Sequence, residues 1–259
     1  MPEPPIISIL TPTRNRAASF LPQAIASVRA LRLTCPYEHV IADDASDDGT
    51  AAYLAAEAAR DGRIRPLRHI APLGVAAARN SAARAARGVF LVDLDDDDLL
   101  LADGVERRYR YLLAHADYWA VHANALKIDE DGRYLLGEDV GNFLCTDPLA
   151  CARHFYDSTM IPNASTAMYR RDALLALGGW DEALSCCEDY DLWLRSLARY
   201  GPPGFLDTPV ALWRKKARSL GIDSVVSGAH ERNQRTVCAR WAHLVAPPFE
   251  RGEPFSVAQ

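Results

Sequence analysis

No run of 18 or more apolar residues occurs in the 259-residue sequence, so no segment is expected to span a membrane. The opening Met1-Pro2-Glu3-Pro4-Pro5 has neither a basic start nor an apolar run, which argues against a signal peptide. A basic excess is also lacking. The 29 Lys and Arg stand against 34 Asp and Glu, for a net charge of −5, and this excludes a broad nucleic-acid footprint. The six cysteines show no metal-type spacing. Cys186 and Cys187 are adjacent, a pairing that strains a disulfide, so all six read as reduced thiols of a cytoplasmic protein, and this pair as ordinary packing. There is no internal repeat, and no low-complexity tract beyond alanine-rich helices.

What is present suits a single α/β domain. Hydrophobic residues make up 49% of the chain and charged residues 24%, a composition that folds around a core. Apolar, β-branched stretches at 6–10, 39–42, 64–69 and 89–92 read as strands. Between them, 19–31, 51–60 and 74–87 read as helices, with Gly88 as the C-terminal cap of the third. This alternation predicts a mostly parallel sheet flanked by helices. In such sheets ligands sit beyond the carboxyl ends of the strands, so Asp43-Asp44 and the acids of 93–98 should meet on one edge. The second half predicts helices at 103–115, 171–177 and 188–200, strands at 118–128 and 167–169, and a breaker region at 202–209. Segments 137–162 and 217–240 read as loops that could order as lids, and the tail from Pro247 as loose. The expected organisation is one domain over 1–246, with a nucleotide-binding half at about 6–100, an acceptor-binding half at about 101–246, and a tail at 247–259.

Charge is concentrated where chemistry would be. Asp93-Leu94-Asp95-Asp96-Asp97-Asp98 places five carboxylates in six positions directly after a buried strand. Hard carboxylate oxygens in that setting suit Mg²⁺ or Mn²⁺, which also bridge phosphates; a solvated acidic loop is the plainer alternative. Asp43 or Asp44, at a strand end, can accept hydrogen bonds from a base or ribose, while Ser46, Asp47 and Asp48 can cap the next helix. Gly74–Asn80 permits close backbone approach, and Arg79 can pair with phosphate.

In order along the chain stand Pro12-Thr13-Arg14-Asn15-Arg16, Asp43–Thr50, Gly74–Asn80, Leu94–Leu99, Gly178-Gly179-Trp180-Asp181-Glu182 and Glu188-Asp189-Tyr190-Asp191-Leu192-Trp193-Leu194-Arg195. This series resembles family 2 of the inverting glycosyltransferases over roughly 6–216. The resemblance implies a GT-A fold, a nucleotide-sugar donor with UDP favoured, a hydroxyl acceptor, and a divalent cofactor, Mn²⁺ or Mg²⁺. It implies that Pro12, Thr13 and Arg14 lie at the nucleotide, and that Asp43 or Asp44 reads the base. Asp95 and Asp96 would contact ribose and the metal-bound diphosphate, and Asp97, with Asp95, would ligate the cation. Asp189 would be the general base, with Glu188 beside it, and Arg79 or Lys216 would stabilise the leaving diphosphate. Lys216 stands where the family often has a histidine, and Thr13 where it often has Tyr or Phe.

Asn163-Ala164-Ser165-Thr166 could face the acceptor or be a plain polar loop, and Trp180 and Trp193 are expected in the core rather than stacked on sugar. Two other functions compete. A nucleotidyltransferase would need a glycine-rich basic loop after the first strand, and 11–16 contains no glycine. A nucleotide-sugar-binding module without catalysis is opposed by the presence of both Asp97 and Asp189. The expected location is cytoplasmic, or peripheral to a membrane surface.

Overall fold

The computed structural model describes residues 3–135, 150, 151, 153, 154, 163–216 and 220–245. Most of 137–162, together with 217–219 and the tail from Pro247, lies outside the described residues. Among the described residues, eight strands form one sheet: β1 (Ile7–Thr13), β2 (Tyr37–Asp43), β3 (Ile64–Arg68), β4 (Phe90–Asp93), β5 (Leu99–Leu100), β6 (Ala120–Ile128), β7 (Met168–Arg170) and β8 (Gly204–Arg214). Their spatial order is β3-β2-β1-β4-β7-β6-β8-β5. The first four strands pair in parallel. The second half corrects the expectation of a mostly parallel sheet. β7 runs antiparallel to β4 and β6, β5 runs antiparallel to β8, and only β6 and β8 are parallel there, so the sheet is mixed.

The helices are α1 (Leu21–Arg29), α2 (Thr50–Arg60), α3 (Val75–Ala85), α4 (Gly104–Ala114), α5 (Arg171–Ala176), α6 (Glu188–Tyr200), α7 (Leu220–Val226) and α8 (Ala229–Trp241). They cover both faces of the sheet because alternate strand residues point opposite ways. Ile7, Ile9, Phe90 and Val92 pack with Ala24 and Val28 of α1 and Val105 and Leu112 of α4. Leu10, Val40 and Leu91 pack on the other face, with α3, α5, α6 and Val237 of α8. Trp119, Tyr169, Trp180 and Trp193 form an aromatic core there, which is the packing expected for both Trp180 and Trp193.

Three local expectations change. The region 202–209 is no breaker, since β8 runs through Pro209. The ladder is irregular at that point, with register shifts around Asn124, opposite Pro209. A bulge is where a residue without an N–H fits a strand. The described part of 217–240 is helical rather than a loop. The segment has few apolar residues, Val225 and Val226 are exposed, and Val237 is the buried contact of α8, so polarity hid the helical period.

Gly88 does not cap α3, which ends at Ala86 in extended backbone. Instead Gly88 lies against β1. A Cβ there would meet the Ser8 backbone nitrogen at 2.6 Å, and the Gly88 N–H donates to Ser8 Oγ at 2.9 Å. We expect Gly88→Ala to force β1 and β4 apart and to cost about 1–3 kcal/mol, read as a lower urea midpoint. An unchanged midpoint would show that the strand end yields freely.

Candidate active site

The parallel register brings the predicted acids to one edge. Thr13 pairs with Asp43 at the ends of β1 and β2, and Asp93 ends β4 beside Leu10. Beyond β4 the acid run divides by direction. Asp93 and Asp98 turn inward, each 1% exposed. Asp93 accepts a hydrogen bond from the Tyr169 hydroxyl at 3.2 Å. Asp98 accepts from Ser165 Oγ at 2.7 Å and from the Arg214 backbone N–H at 2.8 Å. Burial pushes both up to about 7.

Asp95, Asp96 and Asp97 face the site, and each meets a cation of the chain. Asp95 Oδ1 accepts from Arg79 at 2.6 Å. Asp96 accepts from Thr13 Oγ1 at 2.7 Å and lies 3.7 Å from Arg16. Asp97 pairs with the Lys216 ammonium. Burial still lifts Asp96 to about 6. Lys216 falls below its ordinary value through burial and the neighbouring Arg16.

Arg79 joins the two halves of the site. Its guanidinium is 4% exposed and donates to Glu188 Oε1 at 2.7 Å as well as to Asp95. Burial opposes the charge, but Asp95 and Glu188 more than offset it, and Arg79 stays protonated. Glu188 and Asp189 open α6 in its first turn, where the helix dipole favours anions. Burial, then the adjacent Asp189, pushes Glu188 up to about 7. Asp189 is also raised, chiefly by burial, and accepts the Tyr190 N–H at 2.8 Å. Glu188 is therefore tied to Arg79, whereas the half-buried Asp189 is in no described ion pair.

The two acids at the end of β2 differ in the same way. Asp44 is saturated by His69 at 2.8 Å and by the N–H groups of Leu73 and Gly74 at 2.8 and 2.9 Å. It braces the loop that leads into α3. Asp43 accepts from the Ser46 N–H at 3.0 Å, but its Oδ2 is buried without a hydrogen-bond partner, with Arg68 at 3.7 Å. Pro12 is buried beside them in β1, whereas Arg14 is exposed and in no described ion pair. Arg16, rather than Arg14, reaches the acid triplet.

Several supporting residues carried no separate signal in the sequence. Ser165 links Asp95 N–H, at 3.1 Å, to Asp98. Ser165 and Thr166 are fully buried, so this turn braces the acid run instead of facing an acceptor. Arg214 donates to the Asp97 carbonyl at 2.8 Å and to the carbonyls of Asp129 and Glu130. Asn80 clasps the Trp180 backbone through both amide atoms, at 2.8 and 2.9 Å. Gly179, at φ 72°, passes so close that a Cβ would strike Asn80 Oδ1 at 2.1 Å. Asp191, fully buried, is met by Arg195, Arg240 and Trp241 at 2.9, 2.7 and 2.9 Å.

The chemistry of the donor set suits a divalent cation, while among the described residues the oxygens of Asp95, Asp96 and Asp97 do not gather within 4.8 Å of one another. The contacts to Arg79 and Lys216 engage Asp95 Oδ1 and Asp97 Oδ2, one oxygen of each. Hard oxygens of this kind suit Mn²⁺ or Mg²⁺. An incoming cation would share Asp97 with Lys216.

The mixed sheet, covered on both faces and with acids gathered at the strand ends, has a GT-A-type fold. Its likeness to solved structures supports that assignment. TarS of S. aureus in complex with UDP-GlcNAc superposes with TM-score 0.66 at 16% identity, over 92% of this chain and 72% of that one. The mannosyltransferase PcManGT of Pyrobaculum calidifontis, in complex with GDP-Man and Mn²⁺, gives TM-score 0.65 at 20% identity, over 92% and 65%. Residues 8–178 match the family described as Glycosyl transferase family 2, and the chain belongs to that family. The putative colanic acid biosynthesis glycosyl transferase WcaA of Escherichia coli K12 is 30% identical over 205 residues, 77% of this chain and 68% of that protein. The uncharacterized glycosyltransferase MJ1057 of Methanocaldococcus jannaschii is 24% identical over 194 residues, 75% of this chain and 65% of its own length. The chain spans 20% of the uncharacterized protein y4gI of Sinorhizobium fredii, to which it is 30% identical.

Removing Arg79 would leave Glu188 and Asp95 facing each other without a counter-charge. Arg79→Met is expected to lower stability by about 3 kcal/mol in urea denaturation. A loss below about 1 kcal/mol would mean that the two carboxylates reprotonate or separate without disturbing the fold.

Proposed function

We propose that the chain is an inverting glycosyltransferase that moves a sugar from a nucleoside-diphosphate donor to an acceptor hydroxyl, with a UDP-sugar favoured. The observation that carries this reading is the buried Asp43 Oδ2, an acceptor without a hydrogen-bond partner at the end of β2. It lies at the strand-end edge that also holds Asp95, Asp96 and Asp97. An imide N–H of a nucleobase satisfies such an oxygen, and the diphosphate then extends toward the acid triplet. Pro12 and Thr13 would flank the base, and Asp96 the ribose. Asp44 has its own work in the loop before α3, so the reading selects Asp43.

A divalent ion, Mn²⁺ or Mg²⁺, held by Asp95 and Asp97, would supply positive charge to the leaving diphosphate. Lys216 would turn from Asp97 to the same phosphates, a task its point charge suits. Arg79 would act at one remove, because both of its terminal nitrogens are already engaged. It would hold the acid triplet and the first turn of α6 in register. Asp189 would accept the proton of the acceptor hydroxyl as that oxygen attacks the anomeric carbon. The bond from that carbon to the diphosphate oxygen breaks on the opposite face, and the nucleoside diphosphate leaves. The raised basicity of Asp189 suits this role, and its freedom from the Arg79 pair favours it over Glu188.

Donor turnover, followed as release of nucleoside diphosphate from UDP-, GDP- and dTDP-sugars, tests the assignment. Asp189→Asn should lower kcat by about 10²–10⁴-fold with donor binding unchanged, whereas Asp43→Ala should weaken donor binding. Full turnover by Asp189→Asn would remove Asp189 as the base. Unchanged donor affinity in Asp43→Ala would remove Asp43 from the base pocket.

A further inference from the structure

Immediately before the two acids of α6, the chain gathers a second set of ligands of different chemistry. The sulfurs of Cys186 and Cys187 and a ring nitrogen of His230 all lie within 4.8 Å of one another. Cys187 Sγ is 3.6 Å from His230 Nδ1. Two ligands on a tetrahedral Zn²⁺, one sulfur and one nitrogen, stand about 3.5 Å apart. Successive side chains normally diverge along a strand or helix. Cys187 adopts neither backbone, with φ 64°, and here the two sulfurs converge. The five described cysteines are all free thiols, so neither sulfur is held in a disulfide. Asn233 donates to Cys186 Sγ at 3.4 Å and to the Cys186 carbonyl at 3.1 Å. That is the kind of outer-layer hydrogen bond that orients a metal-bound thiolate.

We propose that Cys186, Cys187 and His230 form a binding site for a thiophilic divalent cation, Zn²⁺ in the first instance, with solvent at the fourth position. Two thiolates and an imidazole select a softer ion than the carboxylates Asp95 and Asp97 do. The chain would thus discriminate between two cations by ligand type. Binding releases two thiol protons to solvent and forms two sulfur–metal bonds and one nitrogen–metal bond. The ion would fasten α8, through His230, to the residue that directly precedes Glu188 and Asp189. The proposal stands independently of the transferase assignment, since it needs neither donor nor acceptor.

The test uses the full chain, reduced and stripped of metal, titrated with Co²⁺ and then Zn²⁺. Binding of one equivalent of Co²⁺ should produce a thiolate-to-cobalt charge-transfer band that Zn²⁺ bleaches and excess Mg²⁺ leaves intact. Cys187→Ser should abolish the band. His230→Gln, at a half-buried position on α8 that the fold can tolerate, should weaken Co²⁺ binding about tenfold or more. Cys35→Ser, on the other face of the sheet, should leave the titration unchanged. Absence of a charge-transfer band in the wild type, a band that persists in Cys187→Ser, or unchanged Co²⁺ affinity in His230→Gln, would overturn the site.

Discussion

The buried guanidinium of Arg79 is what the remainder of the site is arranged around. A cation taken out of water needs close acceptors to offset its lost hydration, and Arg79 draws a carboxylate from each half of the chain. Asp95 lies 16 positions along and Glu188 lies 109 along. Helix α3, the loop after β4 and the first turn of α6 are thereby fixed to a single point. The next residue, Asn80, repeats the device with neutral groups, clasping the backbone of Trp180. Two adjacent side chains of α3 thus hold both distant segments that complete the site. The small residues around them follow from the same constraint. Ala76, Ala77, Ala78, Ala82 and Ala83 are buried, so α3 lies close to the sheet.

Charge is balanced within this arrangement by position. Of the five aspartates at 93–98, the two that point inward are held by Tyr169, Ser165 and the Arg214 backbone, and they sit near neutrality in basicity. The three that face outward are each matched to Arg79, Arg16 or Lys216. A run of like charges that would otherwise repel becomes a set of acceptors with its own counter-ions. In the proposed donor complex Lys216 would turn to the diphosphate while Asp95 and Asp97 take a metal ion, and Arg79 would keep its two carboxylates.

Much of this was legible in the sequence, and what was not has physical reasons. The alternation of strands and helices to residue 93 located the sheet edge where Asp43 and the acid run meet, because local period alone dictates that part. The antiparallel β7 and the reach of β8 through Pro209 were not legible, since they depend on pairing between distant segments and on a bulge. The chemistry-bearing residues stood out as clusters, but their division of labour did not. Asp43 and Asp44 look alike in sequence. Only the N–H groups of Leu73 and Gly74, which are placed by the fold, show that Asp44 is occupied and Asp43 has an oxygen to spare. Arg79 stood out in the sequence as a candidate phosphate partner, and its burial between two carboxylates came only with the fold. Ser165 stood out only as part of a polar loop and Cys186-Cys187 only as an adjacent pair, and neither the bracing by Ser165 and Arg214 nor the approach of His230 to the two sulfurs was visible in the sequence. Each acts across more than 40 positions of chain.

The central claim, that Asp95–Asp97 with Asp43 form a metal-assisted nucleoside-diphosphate site, is tested most directly by calorimetric titration of UDP into the full chain. The titration would be run in Mn²⁺ and in EDTA, for the wild type and for Asp97→Ala. The account predicts UDP binding that requires Mn²⁺ and is lost in Asp97→Ala. UDP binding of equal strength in EDTA and in Asp97→Ala, or no binding of UDP or GDP in any condition, would contradict it.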